Sequence, residues 1–469
     1  MKKFLLIILS FFFLFWPKII FATENKFGIH ILEPSDIDKA VELVNSSGGD
    51  WGYVTIVIRD DDLNFDKWQG FMDECRQKHL IPLVRIATHL KGENWVKPKI
   101  EDAEKWSNFL GSLNWPVTDQ FVIIFNEPNQ AKEWGGEVNP REYARILSGF
   151  NEKLKMENEK FKIFNSGFDL AAGNTKSTID AFRFWQEMNS EIPGIFEKID
   201  GWVSHSYPNH GYLGKPWDKG KTSIRGYEWE LWELKNKFKV QKELPIFITE
   251  TGWPKNQLTV NSQKSKAKRV ILGKYYDEAT VANYFKYAFE NVWLKDDRIR
   301  AVTPFLLNYP EPLFADFSWL DKNGEPYLQF ETIKNIPKKS WWPEQINKFT
   351  FNKIEFPPFL LTQKKYKGIA ILTNEGQSIL GEKEKFFFKV INADQGIEVS
   401  NIFLEKGELL KPFERTTLTF EIKTTTQSGE FNFGWEGVGD YKIKVFQPTF
   451  LNNVKFTLWQ KIIKKLRFW

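Results

Sequence analysis

Two glutamates stand where an apolar run breaks. Phe121-Val122-Ile123-Ile124-Phe125 gives way to Asn126-Glu127-Pro128-Asn129, and Pro245-Ile246-Phe247-Ile248 gives way to Thr249-Glu250-Thr251-Gly252-Trp253-Pro254. A carboxylate at the carboxyl end of a buried strand projects into the mouth that parallel strands share. An apolar strand also keeps water away, which favours a protonated carboxyl over what a surface would allow. Two carboxyls facing one opening suit cleavage of a glycosidic bond, one protonating the departing oxygen while the other attacks or activates water. Either glutamate alone reads as a solvated loop residue; the pair, each followed by a proline-containing turn, does not.

Other residues lie at neighbouring strand ends. His205 and Tyr207 fall in Ser204-His205-Ser206-Tyr207-Pro208 and, two apart on an extended segment, face the same side. Arg59 ends one apolar run and Arg85 lies within the next. His30 and His89 lie at or just beyond two further ends, in reach of hydroxyl groups. Tryptophan is abundant, 20 residues in a chain that is 16% aromatic, and flat apolar rings serve as platforms for sugars as well as core filling. Trp253, Trp217, Trp319 and Tyr309 are the candidates of this kind.

The elements that must position these groups alternate between residues 26 and 335. Apolar, β-branched runs (Phe27–Ile31, Tyr53–Ile58, Ile81–Ile86, Phe121–Phe125, Lys162–Phe164, Gly201–Val203, Pro245–Ile248, Ala301–Leu306) are separated by segments of helical period. Continuous rather than alternating apolarity predicts burial on both faces, as in a parallel sheet. Eight strand–helix units predict an α/β fold, a (β/α)8 TIM barrel over 24–335. No glycine-rich phosphate loop follows any run, which weighs against a doubly wound nucleotide-binding sheet. The residues from Asn335 to Pro358 read as a linker, with Pro337, Pro343, Pro357 and Pro358. From Tyr366 short β-rich runs separated by glycine turns predict a small C-terminal antiparallel β-sandwich, placing linker and sandwich at 336–450.

The ends have their own character. Lys2 and Lys3 precede the uncharged stretch Phe4 to Trp16, so residues 1–23 read as a signal peptide or N-terminal anchor and predict export to the cell envelope or beyond. Residues 451–469 read as a basic amphipathic tail: Trp459, Ile462, Ile463, Leu466 and Trp469 recur at helical spacing among Lys461, Lys464, Lys465 and Arg467. Such a helix lies on an anionic membrane surface or packs on its own domain.

The 469 residues contain 65 Lys+Arg against 60 Asp+Glu, too even a balance for a nucleic-acid binder driven by phosphate neutralisation. The single cysteine, Cys75, excludes an internal disulfide framework and Cys-based metal centres. Asp60-Asp61-Asp62 has no calcium-loop spacing, and neither a metal nor another cofactor is expected.

The Asn126-Glu127-Pro128 turn and Glu250 resemble the signatures of the clan A glycoside hydrolases, which are retaining (β/α)8 enzymes. The segment around Glu250 is similar to that of the β-1,3-glucanase-like families, and Asn126-Glu127-Pro128-Asn129 to the cellulase-like and xylosidase-like ones. The resemblance implies Glu127 as acid/base and Glu250 as nucleophile. It implies that Asn126 contacts the sugar 2-hydroxyl, that Tyr207 contacts the nucleophile, that His205 orients the site, and that Arg59 or Arg85 supports the nucleophile. The strand-eight tryptophan of the clan has no match in Leu306-Leu307-Asn308-Tyr309; Tyr309 or Trp319 would take its place. The implied substrate is an oligo- or polysaccharide. Transglycosylation by the same residues, or a non-catalytic glycan-binding envelope protein, are the alternatives.

Overall fold

The computed structural model describes residues 24–256, 274–309 and 311–466; the segment expected to be a signal or anchor lies outside them. Eight parallel strands follow one another: β1 (Gly28–His30), β2 (Gly52–Arg59), β3 (Leu80–Ala87), β4 (Gln120–Ile124), β5 (Phe161–Phe164), β6 (Trp202–Ser204), β7 (Ile246–Ile248) and β8 (Ile299–Val302). They form a five-stranded sheet in the order β1-β2-β3-β4-β5 and a three-stranded sheet in the order β8-β7-β6. One parallel bridge spans each seam, Phe27 with Val302 and Phe164 with Gly201. The chain is therefore α/β with its parallel strands in sequential order.

Strand parity divides the side chains between two layers. On β2, Val54, Ile56 and Ile58 join the large outer core, where helices such as Phe65–Gln77 contribute Trp68, Phe71, Met72 and Cys75. Cys75 is accordingly a buried free thiol. The alternate residues Tyr53, Ile81, Leu83, Phe121, Ile123, Phe164 and Phe247 form a separate aromatic-rich plug between the strands. Trp341 and Trp342 pack against it from the amino-terminal ends of the strands, and the Trp341 indole donates to the Trp51 carbonyl at 3.0 Å. Some helices begin at polar caps: Asn64, Asn139, Asp180 and Asp277 each accept from backbone N–H groups in the first turn.

A second apolar cluster runs from Leu360 to Phe456. One sheet pairs Phe349–Glu355, Lys365–Asn374, Arg415–Thr424 and Ile397–Val399, all antiparallel. The other pairs Phe359–Leu361, Gly439–Phe446, Gly429–Trp435 and Val390–Ala393. Two features differ from the sequence reading. Phe359–Leu361 runs parallel to Gly439–Phe446, so the arrangement is not purely antiparallel. Phe349–Glu355, inside the expected linker, is a strand because it covers the edge of Lys365–Asn374. Gln377 donates to the Val117 carbonyl and Asn114 to the Gly376 carbonyl, tying this region to the loop before β4. The helix Phe450–Leu466 follows the last strand.

Candidate active site

The site is assembled at the carboxyl ends of β3, β4, β6 and β7. Beyond β4 the chain turns sharply: Phe125 and Glu127 adopt positive φ values of 66° and 30°, a region that non-glycine residues rarely occupy. The Glu127 N–H donates to the Gly167 carbonyl at 3.2 Å, and buried Asn129 bonds to Asp169 and Ile179, so the loop after β5 fixes the turn. Beyond β7, the Thr251 hydroxyl donates to the Ser206 carbonyl at 2.6 Å and ties the segment bearing Glu250 to the end of β6. Each glutamate is thus held by its neighbouring strand end rather than by its own strand alone.

A carboxylate oxygen of Glu127, one of Glu250 and a ring nitrogen of His205 lie within 4.8 Å of one another. His205 Nδ1 is 2.9 Å from Glu127 Oε1 and 3.7 Å from Glu250 Oε2. Arg85 Nη1 bonds to Glu250 Oε1 and, at 2.7 Å, to Asn126 Oδ1. Tyr207 donates its hydroxyl to Glu250 Oε2 at 3.2 Å. Gly167 makes room for the imidazole, since a Cβ there would sit 2.0 Å from His205 Cδ2. His30 lies 3.9 Å from Glu250 Oε1 with its ring set edge-on to Phe305.

These surroundings separate the charge states. Burial would push the Glu250 carboxyl up, but His205 and Arg85 outweigh it and hold it well below the usual carboxylate range. Burial would lower His205, but Glu250 and Glu127 outweigh it, and the imidazole is raised above its ordinary 6.5. His30 is driven down to about 3 by burial and then by Arg85, so it is neutral. Tyr207 is raised by burial and by Glu250, and it stays a hydroxyl that can donate. The three donors around Glu127, His205 and Glu250 are also close enough to ligate a cation. Both Glu250 oxygens already accept hydrogen bonds, from Arg85 and Tyr207, so a cation would have to displace one of them.

Not every candidate gathers here. Arg59 is half exposed and bonded to Asp61, because the last residue of β2 projects past the mouth. His89 pairs with Asp60 at 2.9 Å on the rim. Trp253 and Trp319 are core rather than platforms. The Trp253 indole donates to the Gly214 carbonyl and packs on Phe285, and Trp319 packs on the same ring. Trp217 is exposed beside Tyr284 and Tyr287. Tyr309 packs on Phe314, which in turn meets Phe305.

Several neighbours went unread in the sequence. Gln130 donates to Glu127 Oε2 at 2.7 Å and to Asp169 Oδ2 at 3.2 Å; Asn126 donates to Glu133 Oε2 at 3.3 Å. Burial and then Glu127 push the carboxyls of Glu133 and Asp169 up. Phe305, Phe317, Tyr207 and Tyr212 form an edge-to-face aromatic group beside Glu250. Tyr207 and Asn126 were read in the sequence; for the others the available signal was position alone, since all lie in the segments that follow strand ends, where side chains converge on the mouth.

No family model and no curated protein matches the chain. It does resemble solved structures, glycoside hydrolases among them. The monomeric β-xylosidase from Caulobacter crescentus CB15 is 10% identical, with 86% of this chain and 96% of that one covered and a TM-score of 0.46. A family 39 glycoside hydrolase from Bacteroides cellulosilyticus WH2 is 13% identical over 86% and 81% of the two chains, with a TM-score of 0.44. The GH53 catalytic domain from Ignisphaera aggregans is 14% identical over 67% and 96%, with a TM-score of 0.45.

Proposed function

We propose that this chain is a retaining β-glycoside hydrolase acting on an oligo- or polysaccharide. The observation that carries the reading is the spacing of the carboxylates: oxygens of Glu127 and Glu250 lie within 4.8 Å of each other. Retaining enzymes set their two carboxyls about 5–5.5 Å apart, whereas inverting enzymes need about 6.5–9.5 Å to admit a water between them. The eight parallel strands, bridged at both seams, support a closed (β/α)8 barrel for the catalytic part. The two sheets around the second apolar cluster support a β-sandwich. Domain limits near 24–335 and 336–450 and export through residues 1–23 complete the reading.

In this reading Glu250 is the nucleophile. It is held ionised by Arg85 and oriented by the Tyr207 hydroxyl, and it attacks the anomeric carbon as the glycosidic C–O bond breaks. Glu127 and His205 hold one proton between Glu127 Oε1 and His205 Nδ1, and Glu127 passes it to the departing oxygen. Glu127 then takes a proton from water, whose oxygen attacks the anomeric carbon and releases Glu250. Asn126, fixed through its carbonyl by Arg85, turns its amide toward Glu133, the position from which it would meet a 2-hydroxyl. Phe305, Tyr212 and Phe317 would wall the sugar.

The test is a screen of the purified protein on aryl β-glycosides and on β-glucans, mannans and xylans. The anomer released first is read by proton NMR. The reading expects turnover with a β product. An α product would exclude the double displacement, and turnover of no substrate would favour the glycan-binding alternative. Sizing the products from an oligosaccharide separates hydrolysis from transglycosylation.

A further inference from the structure

The helix Phe450–Leu466 presents two apolar faces, and only one of them is covered. Phe456 is 8% exposed and packs on Phe359 and Tyr366, and Trp459 packs beside it, so this face is seated on the second apolar cluster. On the outer side Phe450 is 86%, Leu458 55% and Ile462 56% exposed, and Leu451 and Val454 are exposed as well. At about 100° per residue, Leu451, Leu458 and Ile462 fall within about 40° of one another, with Lys455 and Lys461 on their two sides. The tail residues expected to make one stripe therefore divide: Trp459 turns inward and Ile462 outward. The side chains beyond Ile462 lie outside the described residues.

Charge says what could cover the outer face. From Lys442 to Trp469 the sequence holds no acidic residue, while Lys455, Lys461, Lys464, Lys465 and Arg467 all fall on or beside the helix. Lys442 and Lys444 lie near Glu430, but Lys455 and Lys461 have no ion-pair partner among the described residues. No helix among the described residues is long and apolar enough to cross a membrane. An apolar stripe bordered by lysines whose stems reach over it is the surface that settles into the headgroup boundary of an anionic bilayer, parallel to its plane. We propose that the outer face of Phe450–Leu466 docks this chain on an anionic lipid surface, independently of what the active site does.

Vesicle flotation of the full chain tests it. The probes are phosphatidylcholine vesicles with and without about 30 mol% phosphatidylglycerol, since each basic residue at an anionic surface contributes about fivefold in partitioning. The full chain should float with the anionic vesicles and be released by salt. Leu458→Glu with Ile462→Glu should weaken binding at least about tenfold, as should Lys455→Glu with Lys461→Glu. The lysine pair is fully on the surface, so that variant keeps the test valid if the first one misfolds. Any of three results would overturn the proposal: equal flotation of both variants and the parent, which would assign binding to residues 1–23; equal flotation with neutral and anionic vesicles; or a dimeric mass in solution that Leu458→Glu with Ile462→Glu returns to that of a monomer.

Discussion

The eight strands end in opposite chemistries. At their amino-terminal side the inward residues are rings, Tyr53, Phe121, Phe164 and Phe247, sealed below by Trp341 and Trp342. At their carboxyl side the same inward parity carries Arg85, His205 and Tyr207, and Glu250 turns in from just past the end of β7. Here the buried His205 Nε2 has no hydrogen-bond partner among the described residues, and the buried His30 ring has only the Thr249 backbone near it. Such unpaired groups cost stability, as do the positive φ values of Phe125 and Glu127. The plug has one such position, Trp51 at its amino-terminal edge, with a φ of 52° and an indole nitrogen unpartnered among the described residues, and its other members are apolar rings and aliphatic side chains in ordinary strand conformation. The difference teaches that the rigid aromatic end supplies the stability against which the polar end is held in a preorganised, less stable arrangement.

Substitutions should break that comparison in opposite ways. Glu127→Ala should lower kcat/KM about 10²–10⁴-fold on substrates with poor leaving groups and far less on aryl glycosides whose leaving group needs no proton, with the thermal midpoint unchanged or raised. Phe121→Ala should do the reverse, costing about 3–5 kcal/mol of stability by chemical denaturation while activity per folded molecule is retained. Equal loss of both properties in either variant would mean that the two ends are not separable.

Smaller effects sharpen the picture. Tyr207→Phe removes a hydrogen bond to a charged oxygen and should cost about tenfold in kcat/KM, with stability little changed. The pH profile should be lopsided. Glu250 is lowered, so it stays ionised until well below the usual carboxylate range, and the acid side should be flat through that range. His205 is raised, so its proton is present at lower pH and lost as pH rises past a value above 6.5. Activity should fall there as the proton shared with Glu127 is lost. A bell centred in the ordinary carboxylate range would contradict these charge states.

Much of this was legible in sequence, for a physical reason. Strands buried on both faces leave continuous apolar runs, so all eight were visible, and segments of helical period showed between them. Parity paired His205 with Tyr207, whereas the choice between Arg59 and Arg85 was decided only by the structure, which sets Arg85 on the inward face of Ile81 and Leu83. Tryptophan was misleading. A ring that fills a core and a ring that carries a sugar have the same local sequence, and Trp253 and Trp319 proved to be core. Phe349–Glu355 was hidden because it is a proline-flanked edge strand whose inward residues, Phe349, Phe351 and Ile354, are only half-buried. Gln130, Glu133 and Asp169 matter through contacts between loops, which no local pattern records. Glycine-bounded Gly429–Trp435 escaped for want of an uninterrupted apolar run, although Phe431, Phe433 and Trp435 alternate into the core.

The central claim is that Glu250 forms a covalent bond to the sugar while Glu127 manages the proton. Azide rescue of Glu250→Ala on a cleavable aryl β-glycoside tests it most directly. Turnover should vanish in the variant and return in part with azide, giving an α-glycosyl azide from attack in the space the carboxylate left. Full activity of Glu250→Ala without azide, or rescue that yields only the β-azide, would contradict the account.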